Sequence, residues 1–279
     1  MYTRLVAVTL ILLFALVTPV SAVTNGQTDS TNQYSFVGMA TFYNHDSAGG
    51  LVYLWRCTGA LISPKVFLTA GHCTYDDVYK QQNVEVARVW FDWNLTDLRS
   101  PYLDPKGHTF YEGTPVANPL YPLGSGKNGL VGFDTHDVGL ILLNEPVTNV
   151  GFASLPNYGL VDTLPMGTEV TIVGYGVQEK LQISGNPYYR WAGFRMRFIA
   201  PSLLVQSNDR ISNEYLKLTA NPAQAKGGTC FGDSGGPILL GGTNTVLGVN
   251  SFVTNSNCAG VTYSNRVDTY ALAWISTYL

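Results

Sequence analysis

The serine at position 234 lies in a segment whose composition suits a nucleophile. The segment Gly232-Asp233-Ser234-Gly235-Gly236-Pro237 places glycines around the hydroxyl and an aspartate beside it. A serine hydroxyl is weakly nucleophilic at its own pKa, so it needs a neighbouring base and donors that stabilise an oxyanion. The same residues also make an ordinary glycine-rich turn. Other parts of the chain therefore have to decide between a turn and a catalytic serine.

A histidine base would complete this chemistry, and the chain contains only four histidines. All of them precede Ser234: His45, His72, His108 and His136. The spacing Gly232-x-Ser234-x-Gly236 also fits the nucleophile elbow of α/β-hydrolases, but those enzymes place the histidine after the serine. The order of residues therefore excludes an α/β-hydrolase.

We predict His72 as the base and Asp137 as the carboxylate that orients it. His72 follows the small residues Thr69-Ala70-Gly71, which leave room for the imidazole. Asp137 precedes the apolar run 138–143, where a partly buried carboxylate can stabilise an imidazolium. Taken singly, each could be a turn residue. His136 is a rival base, but neighbours in a strand point to opposite faces, so His136 would turn away from Asp137.

Residues 1–22 have the pattern of a secretory signal peptide. Arg4 gives a positive start, an apolar run covers residues 5–17, and Val20-Ser21-Ala22 supplies small residues for cleavage. The apolar run is short for a membrane span, which disfavours an uncleaved anchor. We therefore predict an extracellular protein whose mature chain begins at Val23.

Composition and charge exclude several classes of protein. The net charge of −3 and the absence of a run of Lys or Arg argue against nucleic-acid and acidic-membrane partners. Four cysteines in a secreted chain favour two disulfides, and because none forms a Cys-x-x-Cys pair, a zinc site is not expected. Asn94-Leu95-Thr96 is a glycosylation sequon. We predict no cofactor and no metal.

Short segments rich in Val, Ile, Tyr, Phe and Thr predict an all-β fold, either barrels or a sandwich. One helical pattern appears, at Val267–Tyr278. Residues 100–133, with prolines and glycines, predict a long surface loop that is either functional or a mere connection. A domain break is expected at Asn144-Glu145-Pro146, which gives units 23–145 and 146–279. The predicted strands are Phe36–Tyr43, Leu51–Ile62, Val84–Trp93, Val138–Leu143, Glu169–Tyr175, Tyr189–Phe198, Tyr215–Thr219, Pro237–Leu240 and Val246–Val253.

Three segments together resemble the signatures of the chymotrypsin/trypsin-like serine peptidases. They are Thr69-Ala70-Gly71-His72-Cys73, Asp137-Val138-Gly139-Leu140-Ile141 and Gly232-Asp233-Ser234-Gly235-Gly236-Pro237. The order His, Asp, Ser is also that of the family, and the general description of this triad is drawn from the same family. The resemblance implies two six-stranded antiparallel β-barrels, with the catalytic groups in the cleft between them and a C-terminal helix.

The resemblance also implies roles for single residues. Ser234 is the nucleophile, and the backbone N–H groups of Gly232 and Ser234 form the oxyanion hole. Ser251 supports the triad aspartate. Gly174-Tyr175-Gly176 is similar to the family's Gly-aromatic-Gly turn near the activation pocket. The implied disulfides join Cys57 to Cys73, in the histidine loop, and Cys230 to Cys258, beside the specificity pocket.

Val23-Thr24-Asn25-Gly26 resembles the segment that supplies a new α-amino group in active family members. That group pairs with the aspartate before the serine, which is Asp233 here. Because Val23 also follows the predicted signal cleavage site, we hypothesise that signal peptidase itself creates the active N-terminus. A buried ammonium held by Asp233 loses its charge at high pH, so activity is expected to fade under alkaline conditions.

The specificity pocket departs from that of members that cut after Lys or Arg. Those members usually carry an aspartate six residues before the nucleophile, where this chain has Gly228. Val253 lies at a position where glycine is common in open-pocket members. A β-branched residue there should narrow the pocket, as in elastase-like relatives. We therefore expect cleavage after small or medium apolar residues. The residues expected to form the pocket are Gly228, Thr229, Ser251, Phe252, Val253 and Gly260.

The expected function is that of a monomeric secreted serine endopeptidase. Its expected partners are a protein or peptide substrate and a proteinaceous inhibitor, without nucleic acid or a membrane after signal cleavage. Two other functions use the same residues. One is a protease-like binding protein that has lost catalysis, and the other is an esterase, because acyl transfer to a serine is common to peptides and esters.

Overall fold

A computed structural model describes residues 26–77, 82–121, 135–182, 189–193, 195–206, 213–221 and 224–279. The predicted signal peptide and Val23 lie outside these residues. Strands dominate the described part of the chain, as its β-branched and aromatic segments predict. The strands are β1 Gln27–Thr28, β2 Val37–His45, β3 Leu51–Ser63, β4 Val66–Thr69, β5 Tyr75–Asp76, β6 Gln82–Asn83, β7 Val86–Trp90, β8 Phe110–Ala117, β9 Gly139–Leu143, β10 Glu169–Gly174, β11 Glu179–Gln182, β12 Tyr189–Ala192, β13 Phe198–Gln206, β14 Tyr215–Ala220, β15 Pro237–Leu240, β16 Val246–Val253 and β17 Gly260–Arg266. The helices are α1 Gly71–Thr74, α2 Tyr270–Ser276 and a 3-10 turn at Leu160–Thr163.

The first barrel closes in the order β2-β3-β4-β9-β8-β7, with β7 pairing back onto β2. Its neighbouring strands are antiparallel, and inward-facing apolar residues fill the interior. Trp90, Phe42 and Phe67 are among the largest fully buried side chains there. Closure removes the two long free edges that an open sheet of these strands would have.

The second barrel follows the order β13-β10-β15-β16-β17-β14 and closes because β13 also pairs with β14. The short strand β1 adds to the outer side of β13, with Gln27 opposite Ile199. Two closed six-stranded antiparallel barrels followed by a C-terminal helix confirm the predicted chymotrypsin-like fold. The predicted division into units 23–145 and 146–279 stays a prediction; its boundary lies between β9 and β10.

The prediction of one long loop over residues 100–133 is wrong in its middle part. Residues 110–117 form β8, which pairs with both β7 and β9. Proline lacks an N–H and normally argues against an interior strand. Pairing with β7 stops at Gly113, however, so one side of β8 is open at Pro115. Residues 122–134 of the predicted loop lie outside the described residues.

The barrels meet at β3, where Thr58 bonds to Tyr175, just after β10, and to Gly232 and Ser234 in the loop before β15. Buried side chains from both barrels form one apolar cluster, and it includes Val173, Leu239 and residues of α2. Among the described residues, no helix is both long enough and apolar enough to cross a membrane.

Candidate active site

His72 is carried by α1, a single helical turn directly after β4. The Cys57–Cys73 disulfide is formed, as expected, and ties this turn to β3. Gly71 lets the turn approach Tyr121 closely, since a Cβ there would lie 2.8 Å from the tyrosine ring. The disulfide and the tyrosine therefore hold the imidazole in place from two sides.

Asp137 lies just before β9 and is almost completely buried. Its Oδ2 is 2.9 Å from His72 Nδ1, and its Oδ1 accepts a 2.8 Å hydrogen bond from the His72 backbone N–H. Ser251 Oγ also donates to Oδ2. Because an ionised carboxylate only accepts hydrogen bonds, Nδ1 carries the proton and Nε2 is left to act as a base.

The electrostatics of this pair favour the ion pair of imidazolium and carboxylate. Burial tends to raise the pKa of Asp137, but the charge of His72 and the hydrogen bonds from His72 and Ser251 hold it below its usual value. Burial alone would lower the pKa of His72, whereas the charge and hydrogen bond of Asp137, helped by the charge of Asp77, raise it. A base with a raised pKa accepts a proton from a serine more readily.

The loop that carries Ser234 is braced by Thr58 of the first barrel. The Thr58 N–H donates to the Ser234 carbonyl over 2.8 Å, and Thr58 Oγ1 donates to the Gly232 carbonyl over 2.8 Å. Gly232 has a φ of +98°, a backbone conformation that favours glycine. These two hydrogen bonds fix the peptide units that follow Gly232 and Ser234, and so hold the backbone around the serine in one orientation.

Asp233 does not face His72; it points into a cradle made by Gly174-Tyr175-Gly176 and Cys230. Its Oδ1 accepts from the Gly176 N–H at 2.8 Å and its Oδ2 from the Cys230 N–H at 2.9 Å. The carboxylate fills the space where side chains at positions 174 and 176 would lie. It is fully buried, and this burial raises its pKa to about 6.

Two cavities meet at Ser234. One, of about 320 Å³, is lined by Trp55, Arg56, Cys57, His72, Tyr75, Asp77 and Ser234. The other, of about 270 Å³, is lined by Thr229, Cys230, Phe231, Ser234, Asn250, Ser251, Phe252 and Val253. Of the six residues expected to form the specificity pocket, the second cavity brings together Thr229, Ser251, Phe252 and Val253. Gly228, which is buried, and Gly260, the first residue of β17, are not among the residues that line this cavity.

The Cys230–Cys258 disulfide is also formed and packs with Val177 against Trp191 and Val253. It therefore supports one wall of the second cavity. His72 lies close to both sulfurs of the other disulfide, Cys57–Cys73. Those sulfurs are bonded to each other and offer no thiolate to a metal ion.

His136 is not part of a strand, so the prediction that strand alternation turns it away from Asp137 is wrong. Strand β9 begins only at Gly139, and His136 has a φ of +47°. Its ring packs edge-on against Tyr270, with the centroids 4.5 Å apart. Its left-handed backbone and its contact with Tyr270, rather than strand alternation, set the position of its ring.

Sequence reasoning missed three residues that shape the site. Arg56 donates to the Tyr175 carbonyl at 2.8 Å, and its guanidinium lies beside Gly232. Asp77 accepts a hydrogen bond from Tyr121 Oη at 2.8 Å and lines the same cavity as His72. Thr58 holds the loop of Ser234. Arg56 and Thr58 flank Cys57, so the neighbours of the expected disulfide were the signal that could have revealed them.

Comparisons with known proteins show which class of protein this chain belongs to. The family described as Trypsin matches residues 25–275. Brachyurin of Leptuca pugilator is 27% identical over 84% of this chain and 92% of its own length. The cercarial protease of Schistosoma mansoni is 31% identical over 76% of this chain and 73% of its own. The solved structure of HL collagenase superposes with a TM-score of 0.64 at 19% identity, over 91% of this chain and 97% of the other.

The fold and the matches define a trypsin-like peptidase. This chain belongs to the trypsin family, and it is a serine endopeptidase, a hydrolase with a chymotrypsin-like fold. Members of this family act on protein substrates and are commonly inhibited by proteins.

Proposed function

We propose that this chain is a secreted endopeptidase that works through a triad of Ser234, His72 and Asp137. The observation that carries the proposal is the 2.9 Å contact between His72 Nδ1 and Asp137 Oδ2, on a histidine that shares a cavity with Ser234. A buried carboxylate, an imidazole and a serine in this order give the charge arrangement that acyl transfer needs.

The steps follow from this arrangement. Ser234 Oγ bonds to the scissile carbonyl carbon while its proton passes to His72 Nε2, and the N–H groups of Gly232 and Ser234 stabilise the oxyanion. The imidazolium, stabilised by Asp137, then protonates the leaving amine as the peptide bond breaks. Water, activated by the same histidine, hydrolyses the acyl-enzyme. Asp137 keeps its charge throughout and orients the ring.

The cavity lined by Val253 supports a preference for small or medium apolar residues before the scissile bond. None of its described lining residues carries a carboxylate. A buried Lys or Arg side chain would therefore remain uncompensated, which is costly. Val253 narrows the entrance and disfavours large aromatic side chains. The proposed pocket also includes Gly228 and Gly260, although neither lines this cavity.

The cradle around Asp233 supports activation by the α-amino group of Val23, which lies outside the described residues. A buried carboxylate whose pKa is raised to about 6 gains stability from any cation that reaches it. Signal cleavage after Ala22 would supply that cation without a separate pro-peptide. N-terminal sequencing of the secreted protein tests this step, and a start well before or after Val23 contradicts it.

The two disulfides fit an oxidising compartment, which supports secretion after removal of residues 1–22. We also propose that the mature chain is a monomer whose partners are its protein substrate and a proteinaceous inhibitor. The mass of the purified protein in solution, measured by light scattering, tests the monomer.

A fluorophosphonate probe tests the catalytic proposal directly. The probe is expected to label wild-type protein at Ser234 and to leave Ser234→Ala unlabelled. As a control for folding, the two proteins should have similar melting temperatures. A peptide library then gives the residue preference. Inertness of correctly processed wild-type protein would contradict catalysis and favour a binding role, whereas turnover of esters without peptides would favour an esterase. Faster cleavage after Lys or Arg than after Ala, Val or Leu would contradict the pocket assignment.

A further inference from the structure

A fully buried arginine joins the start of the described chain to the turn that cradles Asp233. The Arg197 side chain has no exposed surface, and neither has that of its partner Asp29. Arg197 Nε donates to Asp29 Oδ2 over 2.8 Å, and Nη1 donates to the backbone carbonyls of Val37 and Phe91 over 2.9 and 3.0 Å. Arg197 Nη2 donates to Asn32 Oδ1. The guanidinium therefore joins two segments that are far apart in sequence, 29–37 and the residue Phe91.

On one side, Arg197 holds the segment that follows the mature N-terminus. The Asp29 backbone N–H donates to the Arg197 carbonyl over 2.9 Å, and β1 pairs with the start of β13. The Asp29 carboxylate also accepts from the N–H groups of Gln33 and Tyr34. The path of the chain is thus set only six residues after Val23.

On the other side, Arg197 holds Tyr175, the central residue of the Gly-aromatic-Gly turn. Arg197 Nη1 donates to Tyr175 Oη over 3.1 Å, and Tyr175 Oη donates to the Asp92 carbonyl over 2.8 Å. The next residue, Gly176, donates its N–H to Asp233 Oδ1. A continuous series of contacts therefore runs from Asp29 through Arg197 and Tyr175 to the aspartate beside Ser234.

We propose that Arg197 is a positioning residue that holds the Asp233 cradle in its active form and aligns the N-terminal segment with it. This inference rests on the proposed function of Asp233. A buried ion pair is weak evidence of stability alone, because well-packed apolar residues often serve at least as well. What an apolar residue cannot do is donate at once to Asp29, to Tyr175 Oη and to backbone carbonyls of the first barrel. The fork of an arginine does so with fixed geometry.

The second barrel contains a matched control. Arg266 is also buried and ion-paired, with its Nε on Asp268 and its Nη1 on Asp162, at 2.9 Å each. Its partners belong to the 3-10 turn and to the start of the last helix rather than to the cradle. Arg197→Met and Arg266→Met thus each remove one buried guanidinium, but only the first removes a contact to Tyr175.

Steady-state kinetics on wild type, Arg197→Met, Arg266→Met and Tyr175→Phe test the proposal. Arg197→Met is expected to lower kcat about tenfold or more with little change in KM, because oxyanion stabilisation acts in the transition state. Tyr175→Phe keeps the ring and loses the hydroxyl, so it is expected to show the same split with a smaller loss. Arg266→Met is expected to keep kcat within about twofold.

Hydrogen exchange of the peptide that contains Gly176 gives a readout independent of activity. Faster exchange there in Arg197→Met than in Arg266→Met supports the proposal even if wild-type protein proves inert, which would overturn the proposed function only. Unchanged kcat together with unchanged exchange in Arg197→Met overturns the inference while the proposed function stands. If Arg197→Met does not fold, Tyr175→Phe decides: kcat within about twofold of wild type and unchanged exchange overturn the inference.

Discussion

The Gly176 amide donates a 2.8 Å hydrogen bond to Asp233 Oδ1, and a Cβ on Gly176 would lie 2.5 Å from Asp233 Cγ. The Asp233 carboxylate thus occupies the space that a side chain at position 176 would need. Gly176→Ala is expected to push Asp233 out of its cradle and to lower kcat/KM by about 100-fold, the scale of losing an oxyanion-hole donor. Peptide turnover measures this.

Gly151→Ala is the control for that substitution. Position 151 has ordinary backbone geometry, and a Cβ there would meet its nearest neighbours at 3.9 Å. Its activity is expected to equal that of wild type. Full activity in Gly176→Ala would show that the cradle tolerates displacement of Asp233.

Asp77→Asn is expected to move the acidic limb of the kcat/KM profile to lower pH. The charge of Asp77 helps to raise the pKa of His72, and catalysis needs His72 neutral. Without that charge the pKa of His72 is lower, so the imidazole loses its proton at lower pH. Asp104→Asn removes an exposed carboxylate paired with Lys106 and is expected to leave the profile unchanged. A shift toward higher pH in Asp77→Asn would contradict this account.

Val253→Gly is expected to widen the cavity beside Ser234. Val253 lines the cavity and packs against the Cys230–Cys258 disulfide. The ratio of kcat/KM for Phe over Ala substrates should rise about tenfold, since a few methylenes of pocket space carry about 1–3 kcal/mol of discrimination. Matched peptides that differ only in the residue before the scissile bond measure the ratio, and an unchanged ratio would place the specificity pocket elsewhere.

His108, which lies outside the candidate active site, should make the free energy of unfolding depend on pH. Its Nδ1 lies 2.9 Å from Asp92 and its Nε2 2.9 Å from Asp97. Burial tends to lower its pKa, but these two carboxylates raise it. The raised pKa adds stability that is complete below the unfolded value of about 6.5 and is lost as pH rises through the folded pKa.

His108→Gln should therefore lower the melting temperature at about pH 5.5 and much less at about pH 8.5. The effect is small because both carboxylates are more than half exposed. His45→Gln, which removes another exposed histidine–carboxylate pair, is a comparison for surface pairs in general. An equal loss in His108→Gln at both pH values would assign His108 a packing role instead.

The elements predicted best from sequence are those with uniform local signals. Strands β15 and β16 begin and end at the predicted residues, because Gly and Pro punctuate short β-branched runs there. The segment 110–117 was missed because Pro115 and Gly113 read as loop residues. The strand can contain Pro115 because its pairing with β7 ends at Gly113, which leaves one side of β8 unpaired at the proline.

The site shows the same division. His72, Asp137 and Ser234 lie in recognisable local segments, so their neighbours in sequence pointed to them. Arg197 has no such neighbours: it precedes β13, and its partner Asp29 is 168 positions away. A buried charge looks like a surface charge in sequence, because its burial depends on which distant segments enclose it.

Thr58 belongs to one barrel and holds the loop of Ser234 in the other. If the barrels moved apart, these hydrogen bonds would break and the loop of Ser234 would be released. Because these bonds join the two barrels, we expect the cleft to stay open and a substrate to enter as a segment that is already extended or easily unfolded. Compact proteins would resist this enzyme through their own rigidity, and local unfolding in the target would set the pace of cleavage.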